Sequence, residues 1–356
     1  MVCIDFLMLT KKQLSEIRGH LEKAQNPIFL YDNDVDGLCS STILRRFIGR
    51  GKGVVIKSHP VIDTGYAKRV QELNGDYAFV LDRHSLGKEF VAEMQLLQIP
   101  IVWIDHHDVD MENYNYNLLY RFNPTKGKRK SSEPTTYLCY KVTERLEDIW
   151  IALIGCIADH YLPNFIEKFT DNYSNLWAKN VKEPFDALYT TGIGRLARGL
   201  SFGLKDSISH VVELQNFLIK CKDPYGLEHE LESNSSFGIK YREILKKYQL
   251  LIEDAKTVAR KKLVFYNYSG QLSISSDISN ELSHIFPNHY ICVAYSAGPI
   301  TNISLRGDNV AKILSEMLPM FENSTGGGHR NAVGARINTE FIEKFRIELE
   351  LRVGEK

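Results

Sequence analysis

Over the first 160 residues, apolar positions alternate between two rhythms. Leu14, Ile17, Leu21 and Ala24 recur at three- and four-residue spacing, the period of one helix face. Ile28-Phe29-Leu30-Tyr31 follows as a short unbroken run, the form taken by a strand buried on both faces. Val54-Val55-Ile56, Tyr77-Ala78-Phe79-Val80-Leu81 and Ile101-Val102-Trp103-Ile104 repeat that form, separated by segments of helical length such as 89–97. Strands alternating with helices predict a parallel sheet with crossover helices on both faces, an α/β fold.

Beyond residue 133 the pattern turns helical, through 135–146 and 150–159, and a charged helical stretch from Tyr241 to Lys262 reads as a connector. Strand-like segments 263–266, 290–295 and 300–305 then predict a smaller C-terminal α/β domain that includes a glycine loop at 326–328. The expected organisation is a catalytic domain over 1–200, a helical linker over 201–261 and a substrate-binding domain over 262–356.

Three of the four apolar runs in the first domain end on an acid: Asp32, Asp82 and Asp105. In an open parallel sheet these carboxylates emerge together at the carboxyl edge, where such folds place their ligands. The first forms Asp32-Asn33-Asp34-Val35-Asp36-Gly37, with acids at alternate positions. A calcium loop of the EF-hand type shares that spacing but needs a Glu at its twelfth position and a helix in front; this chain has Ile43 and a strand. A solvated acid-rich turn remains the competing reading of the hexapeptide alone. The third cluster, Asp105-His106-His107, weakens it, because burying that many ionisable groups costs several kcal/mol each (roughly) without a compensating ion. Asp159, ending the apolar stretch 151–158, is a further donor, with a plain helix-end acid as its alternative.

Carboxylates mixed with imidazole favour a borderline octahedral ion, and Mn²⁺ is the expected cofactor, with Mg²⁺ as its substitute. The donor inventory exceeds one ion's usual share of protein ligands, so two ions are expected. Far along the chain, Gly326-Gly327-Gly328-His329 offers backbone N–H groups and an imidazole to an anion, and Ser304 and Arg306 stand at the end of a strand just upstream.

Composition narrows the substrate. Lys+Arg and Asp+Glu each total 44, so the chain lacks the global basic field expected for gripping a long duplex. The basic segment Lys126-Gly127-Lys128-Arg129-Lys130 reads better as a solvated loop than as a strand contact. Six scattered cysteines form no CxxC pair, and no apolar run reaches membrane-spanning length; the expectation is a reduced, cytoplasmic protein without a membrane.

Taken in order, Asp32 to Gly37, Asp82, Asp105-His106-His107, Asp159 and the GGGH at 326–329 resemble the DHH phosphoesterase superfamily, which includes RecJ-type exonucleases, nanoRNases and family II inorganic pyrophosphatases. The resemblance covers nearly the whole chain. It implies that Asp34 and Asp36 each bind one ion, Asp82 bridges the two, and His106 and Asp159 complete the second site. Asp32 stands where the family varies and is counted with these as an expected metal ligand. It further implies that His107 touches the substrate phosphate and Asp105 orients the histidines, with Asp82, Asp105 and His107 as the catalytic set. Ser304, Arg306, Gly326, Gly327, Gly328 and His329 would bind substrate, with the active site in the cleft between the domains.

The first motif opens on Asp, unlike the His of the pyrophosphatases, which points to the RecJ branch. The implied activity is a Mn²⁺-dependent exonuclease converting single-stranded RNA or DNA, especially short oligonucleotides, to nucleoside 5′-monophosphates. A phosphoesterase acting on a cyclic dinucleotide or a bisphosphorylated adenosine nucleotide, and a catalytically silent replication scaffold, are the alternatives. Val333, Arg330 after the GGGH, and the continuation His160-Tyr161-Leu162-Pro163 depart from the common pattern.

Overall fold

The computed structural model describes residues 9–58, 61–108, 114–126, 131 and 133–354. The chain divides into two compact units, Met1–Arg242 and Glu243–Lys356.

In the first unit, strands β1 (Pro27–Asp32), β2 (Lys52–Ile56), β3 (Tyr77–Leu81), β4 (Ile101–Ile104) and β5 (Leu119–Phe122) form one sheet in the order β2-β1-β3-β4-β5. Every pairing is parallel. Between and around them run α1 (Lys11–Lys23), α2 (Val35–Ile48), α3 (Thr64–Glu72) and α4 (Lys88–Leu96). A helical layer follows: α5 (Thr135–Thr143), α6 (Ile149–Ala158), α7 (Ile166–Tyr173), α8 (Pro184–Thr190), α9 (Gly192–Gly203), α10 (Ile208–Lys220) and α11 (Pro224–Glu232). The boundary between units falls within α12 (Ser236–Thr257), which begins and ends about five residues earlier than the charge pattern predicts.

Because side chains alternate across a strand, each apolar run fills two cores. Ile28, Leu30, Ala78, Val80, Ile101 and Trp103 pack on one face with Ala67, Val70, Phe90 and Met94 from α3 and α4. On the other face, Phe29 stacks on Phe79 with ring centroids 5.1 Å apart, and α2 packs against β1. Each fully buried Ile, Leu, Val, Phe or Met side chain among them contributes about 1.5–3 kcal/mol. Helix starts follow their capping residues: the Thr10 hydroxyl accepts from the Gln13 N–H ahead of α1, and Asp34 caps α2, which ends on left-handed Gly49.

The second unit holds β6 (Leu263–Ser269), α13 (Ser275–Ile285), β7 (Tyr290–Ala297), β8 (Ile300–Arg306), α14 (Val310–Met317), β9 (Thr325–His329), β10 (Ala332–Asn338) and α15 (Ile342–Val353). Its sheet runs β6-β7-β8-β10-β9, with only the β6–β7 pair parallel. The expected glycine loop is corrected here. Gly326 to Gly328 lie inside β9, an edge strand paired antiparallel with β10. Gly326 and Gly328 are needed there because an added Cβ would come within 2.8 Å of the Gly334 carbonyl and 2.6 Å of the Ala332 carbonyl, respectively.

Candidate metal centre

The sheet order puts β1, β3 and β4 side by side, so the acids that follow them arrive at one edge. Asp34 ends β1's exit turn and caps α2, its Oδ1 accepting from Gly37 N at 2.8 Å. Gly37 has no room for a side chain, since a Cβ would meet the Asp32 carbonyl oxygen at 2.5 Å; the glycine lets the first turn of α2 lie against the end of β1. Asp36, 2% exposed, is gripped from another helix. The Thr135 and Thr136 N–H groups, the first amides of α5, donate to its Oδ2 and Oδ1 at 2.8 and 2.6 Å, using helix-end donors that have no intrahelical partner. Asp82 follows β3 in the left-handed region at φ 61° and accepts from the Thr135 hydroxyl at 3.1 Å.

These carboxylates converge on one imidazole nitrogen. His106 Nε2 lies 3.4 Å from Asp82 Oδ1, 3.6 Å from Asp159 Oδ2 and 3.8 Å from Asp36 Oδ2. Asp159 reaches the cluster from the C-terminal end of α6. Two overlapping donor groups result, Asp82/His106/His107 and Asp36/His106/Asp159, with all donor atoms of each group within 4.8 Å of one another.

His107 is held by a separate network. Its Nδ1 lies 2.7 Å from Asp105 Oδ1, and its N–H donates to Asp105 Oδ2 at 3.2 Å. Asn123 Nδ2 then donates to both Asp105 Oδ2 and the His107 carbonyl, and the Thr125 N–H and hydroxyl fix Asn123 Oδ1. Asp105, 1% exposed, is thus a holder of His107. Asp32 is turned elsewhere: its Oδ1 pairs with buried Arg83 at 2.8 Å, and Arg83 also donates to the Ser58 carbonyl.

Electrostatics favour a cation in the centre. Burial raises Asp36 well above the usual carboxylate range, reinforced by Asp82 and Asp159. Asp34 is likewise raised, first by the protein packed around its carboxyl and then by the like charges of Asp82, Asp32 and Asp36. Burial lifts Asp159 to about 6, against the pull of His106. Burial alone would raise Asp82 and lower His106, but their hydrogen bond and mutual charge win, holding Asp82 near about 2 and lifting His106 to about 11. Burial and like charge thus hold the Asp34, Asp36 and Asp159 carboxyls at raised pKa while the acids raise His106 and His107, and a divalent ion would relieve the crowding among the carboxylates.

The donors fit such an ion. Neighbouring oxygen or nitrogen ligands around an octahedral ion at about 2.1 Å are about 3 Å apart, slightly closer than the 3.4–3.8 Å separations at His106. His106 Nδ1 is buried without a hydrogen-bond partner. Sulfur ligands are disfavoured, since burial pushes the neighbouring Cys39, Cys139 and Cys156 thiols well above their ordinary value and keeps them protonated.

Residues 28–162, which contain this entire constellation, match the model of the DHH family, N-terminal domain. Residues 28–162 form a domain of the DHH family. No curated protein matches it. Among solved structures, the chain resembles exonuclease RecJ bound to manganese at 15% identity, covering 98% of this chain and 96% of that one, with a TM-score of 0.61. CDC45 from Entamoeba histolytica is 11% identical, over 95% of this chain and 98% of that one, at a TM-score of 0.54. A pGpG-specific phosphodiesterase, PggH from Vibrio cholerae, is 11% identical over 93% and 99%, at 0.52. At these identities the likeness is one of fold.

Of the residues the sequence singles out, Asp34, Asp36, Asp82, His106, His107 and Asp159 come together, while Asp105 stands behind His107 and Asp32 beside Arg83. Thr135, Thr136, Asn123 and Arg83 were not singled out. Only the Pro134-Thr135-Thr136 helix start carried a signal, as a source of unpaired amides. In the second unit the Ser304 hydroxyl is buried against Ser275 at 3.0 Å, and Arg306 donates to Asn280 Oδ1 at 2.8 Å. Gly326 to His329 are exposed along β9. Of the basic segment, residues 127–130 lie outside the described residues. Among the described residues no helix is long and apolar enough to cross a membrane.

Proposed function

We propose that the chain is a Mn²⁺-dependent phosphodiesterase that removes nucleoside 5′-monophosphates from single-stranded RNA or DNA, with short oligonucleotides as preferred substrates. The observation that carries this reading is the approach of His106 Nε2 to three carboxylates from three separate elements, within 3.8 Å. Asp34, Asp36, Asp82, His106 and Asp159 are the proposed ligands of two ions, with Mg²⁺ the substitute for Mn²⁺. Bound there, the ions supply a hydroxide-generating Lewis acid and neutralise phosphoryl oxygens.

The protein's own groups do the rest. Thr135 and Thr136 preset Asp36, and the Thr135 hydroxyl presets Asp82, so neither carboxylate must reorganise when loaded. His107, fixed by Asp105 and Asn123 beside the metal donors, donates to a phosphoryl oxygen of the substrate. Asp32 holds Arg83 and contributes charge balance at the rim. In the second unit, Arg306, His329 and the open backbone of Gly326, Gly327 and Gly328 are the proposed substrate contacts, with Ser304 supporting Arg306's strand. Residues 1–200 would then be the catalytic domain, 201–261 a helical linker and 262–356 the substrate-binding domain. The five described cysteines are buried and unpaired, which supports action in the reducing cytoplasm.

The test is release of mononucleotides from end-labelled short RNA and DNA with Mn²⁺. Wild type is expected to release them, and Asp82→Ala and His106→Ala to lose at least about 10³-fold in kcat/KM. Equal rates in wild type and variants would overturn the proposal. A cyclic dinucleotide cleaved orders of magnitude faster than a trinucleotide would move the enzyme to the small-nucleotide class, and failure of Mn²⁺ to bind would point to a scaffold.

A further inference from the structure

The two ends of α2 carry opposite charge. Its first turn holds Asp34 and Asp36; its last turn holds Arg45 and Arg46. There, a cavity of about 290 Å³ opens among the last turns of α2 and α10 and the segment after α5, and Arg45, Arg46, Arg50, Arg145, Lys220 and Lys222 line it. At about 1.5 Å per residue, the eleven-residue separation of Asp34 and Arg45 puts this cavity about 16 Å along the helix from the metal centre. It is a separate site within the first unit.

A structural role accounts for three of the six cations. Arg46 pairs with buried Asp148 and donates to the Leu218 and Ile219 carbonyls at the end of α10. Arg50 donates to the carbonyls of Ala24, Leu21 and Glu22, and Arg145 pairs with Asp148 and Glu147. These are helix-end cations satisfying orphan carbonyls, an ordinary use of arginine.

Among the described residues, Arg45, Lys220 and Lys222 have no such pairing. Arg45 Nε and one of its terminal nitrogens are buried without a hydrogen-bond partner, and so is the hydroxyl of its neighbour Tyr31. Burial also lowers Arg45 from its ordinary value, the sign of a guanidinium lacking a counter-charge. The acids paired to this cluster, Asp148 and Glu147, are already shared among Arg46 and Arg145, so the concave pocket keeps an excess of positive charge. Orphaned buried donors of this kind are costly, charged ones most of all, unless something accepts from them.

We infer that this cavity is a second, metal-independent anion site that binds a small phosphate-bearing ligand, of the size of pyrophosphate or a mononucleotide. Phosphate oxygens match guanidinium and ammonium donors, and the volume sits at the lower end of small-ligand pockets. A continuous nucleic-acid track is disfavoured, because the six cations gather in one hollow and the chain as a whole carries equal numbers of acidic and basic residues.

Isothermal titration of the full chain in EDTA, with pyrophosphate, AMP and a single-stranded hexanucleotide as separate probes, tests the inference. Removing divalent ions silences the acidic metal centre as an anion binder, so the outcome does not depend on the proposed catalytic function. Pyrophosphate or AMP is expected to bind wild type at one site, and the exposed pair Lys220→Gln/Lys222→Gln to weaken binding at least tenfold. Arg45→Met should abolish it; the lysine variant, whose positions are on the surface, keeps the test decisive should Arg45→Met not fold. Absence of binding by both small probes to millimolar concentration, binding unchanged in the lysine variant, or binding of the hexanucleotide alone would each overturn the inference.

Discussion

The Thr135 N–H donates to Asp36 Oδ2 at 2.8 Å, so the first turn of one helix grips a carboxylate standing in the first turn of another. The same residue's hydroxyl reaches Asp82 Oδ1 at 3.1 Å. Thr135→Val keeps the amide and removes the hydroxyl. Mn²⁺ affinity by calorimetry should fall about 10–100-fold while far-UV circular dichroism stays unchanged.

Without metal, the centre is a concentration of like charge. Asp159→Asn removes one carboxylate that burial and Asp82 hold at raised pKa, so the metal-free protein should melt higher at pH 8 than wild type. Stabilisation by added Mn²⁺ should shrink in the same variant, because fewer donors bind the folded state. A variant that melts lower without metal would contradict this electrostatic picture.

Gly37→Ala pushes a methyl group into the Asp32 backbone at 2.5 Å. The expected cost is about 1–3 kcal/mol, with Mn²⁺ binding weakened as α2 shifts. Gly19→Ala in α1 is the control: nothing lies within 4 Å of the added Cβ, and stability should rise by about 0.5–1 kcal/mol. Urea denaturation of the two variants compares them directly.

His20 is buried between Tyr77 and Tyr120, with Nδ1 unpartnered, and burial lowers its pKa below 6.5. The neutral ring is therefore favoured in the folded state, while the unfolded chain takes up the proton first. This contribution is complete above pH 6.5 and is lost as pH falls below it. Melting temperature should consequently drop more steeply between pH 7 and 5 in wild type than in His20→Phe. Parallel curves would refute it.

Asn123 ties Asp105 Oδ2 to the His107 carbonyl without contributing to either donor group. Asn123→Ala should leave Mn²⁺ affinity near wild type and lower kcat about tenfold or more, with little change in KM. Equal losses in metal affinity and kcat would place Asn123 among the supports of the metal instead.

Much of the first unit was legible in the chain because a doubly buried parallel strand is an unbroken apolar run, and Asp32, Asp82 and Asp105 each close one. β5 was not legible: Leu119, Tyr120 and Arg121 are only half-buried at the sheet's edge and read as neither rhythm. β9 was missed because glycines carry no hydrophobic period, and their strand state is dictated by pairing with β10. The anchoring of Asp36 by Thr135 and Thr136 joins residues about a hundred positions apart through backbone amides, which no residue-type pattern announces. Asp32, by contrast, was visible as an acid in the motif, but its partner Arg83 was not.

Asp82 occupies a backbone conformation, φ 61°, that few side chains tolerate. That narrows what evolution or an engineer can install there. Asparagine keeps the turn and forfeits the charge; glycine keeps the turn and forfeits the side chain; glutamate keeps the charge but strains the turn and carries its carboxylate one methylene too far. The acid at this position thus answers two demands, the left-handed turn it stands in and the donor cluster it joins, and asparagine or glycine would satisfy only the first.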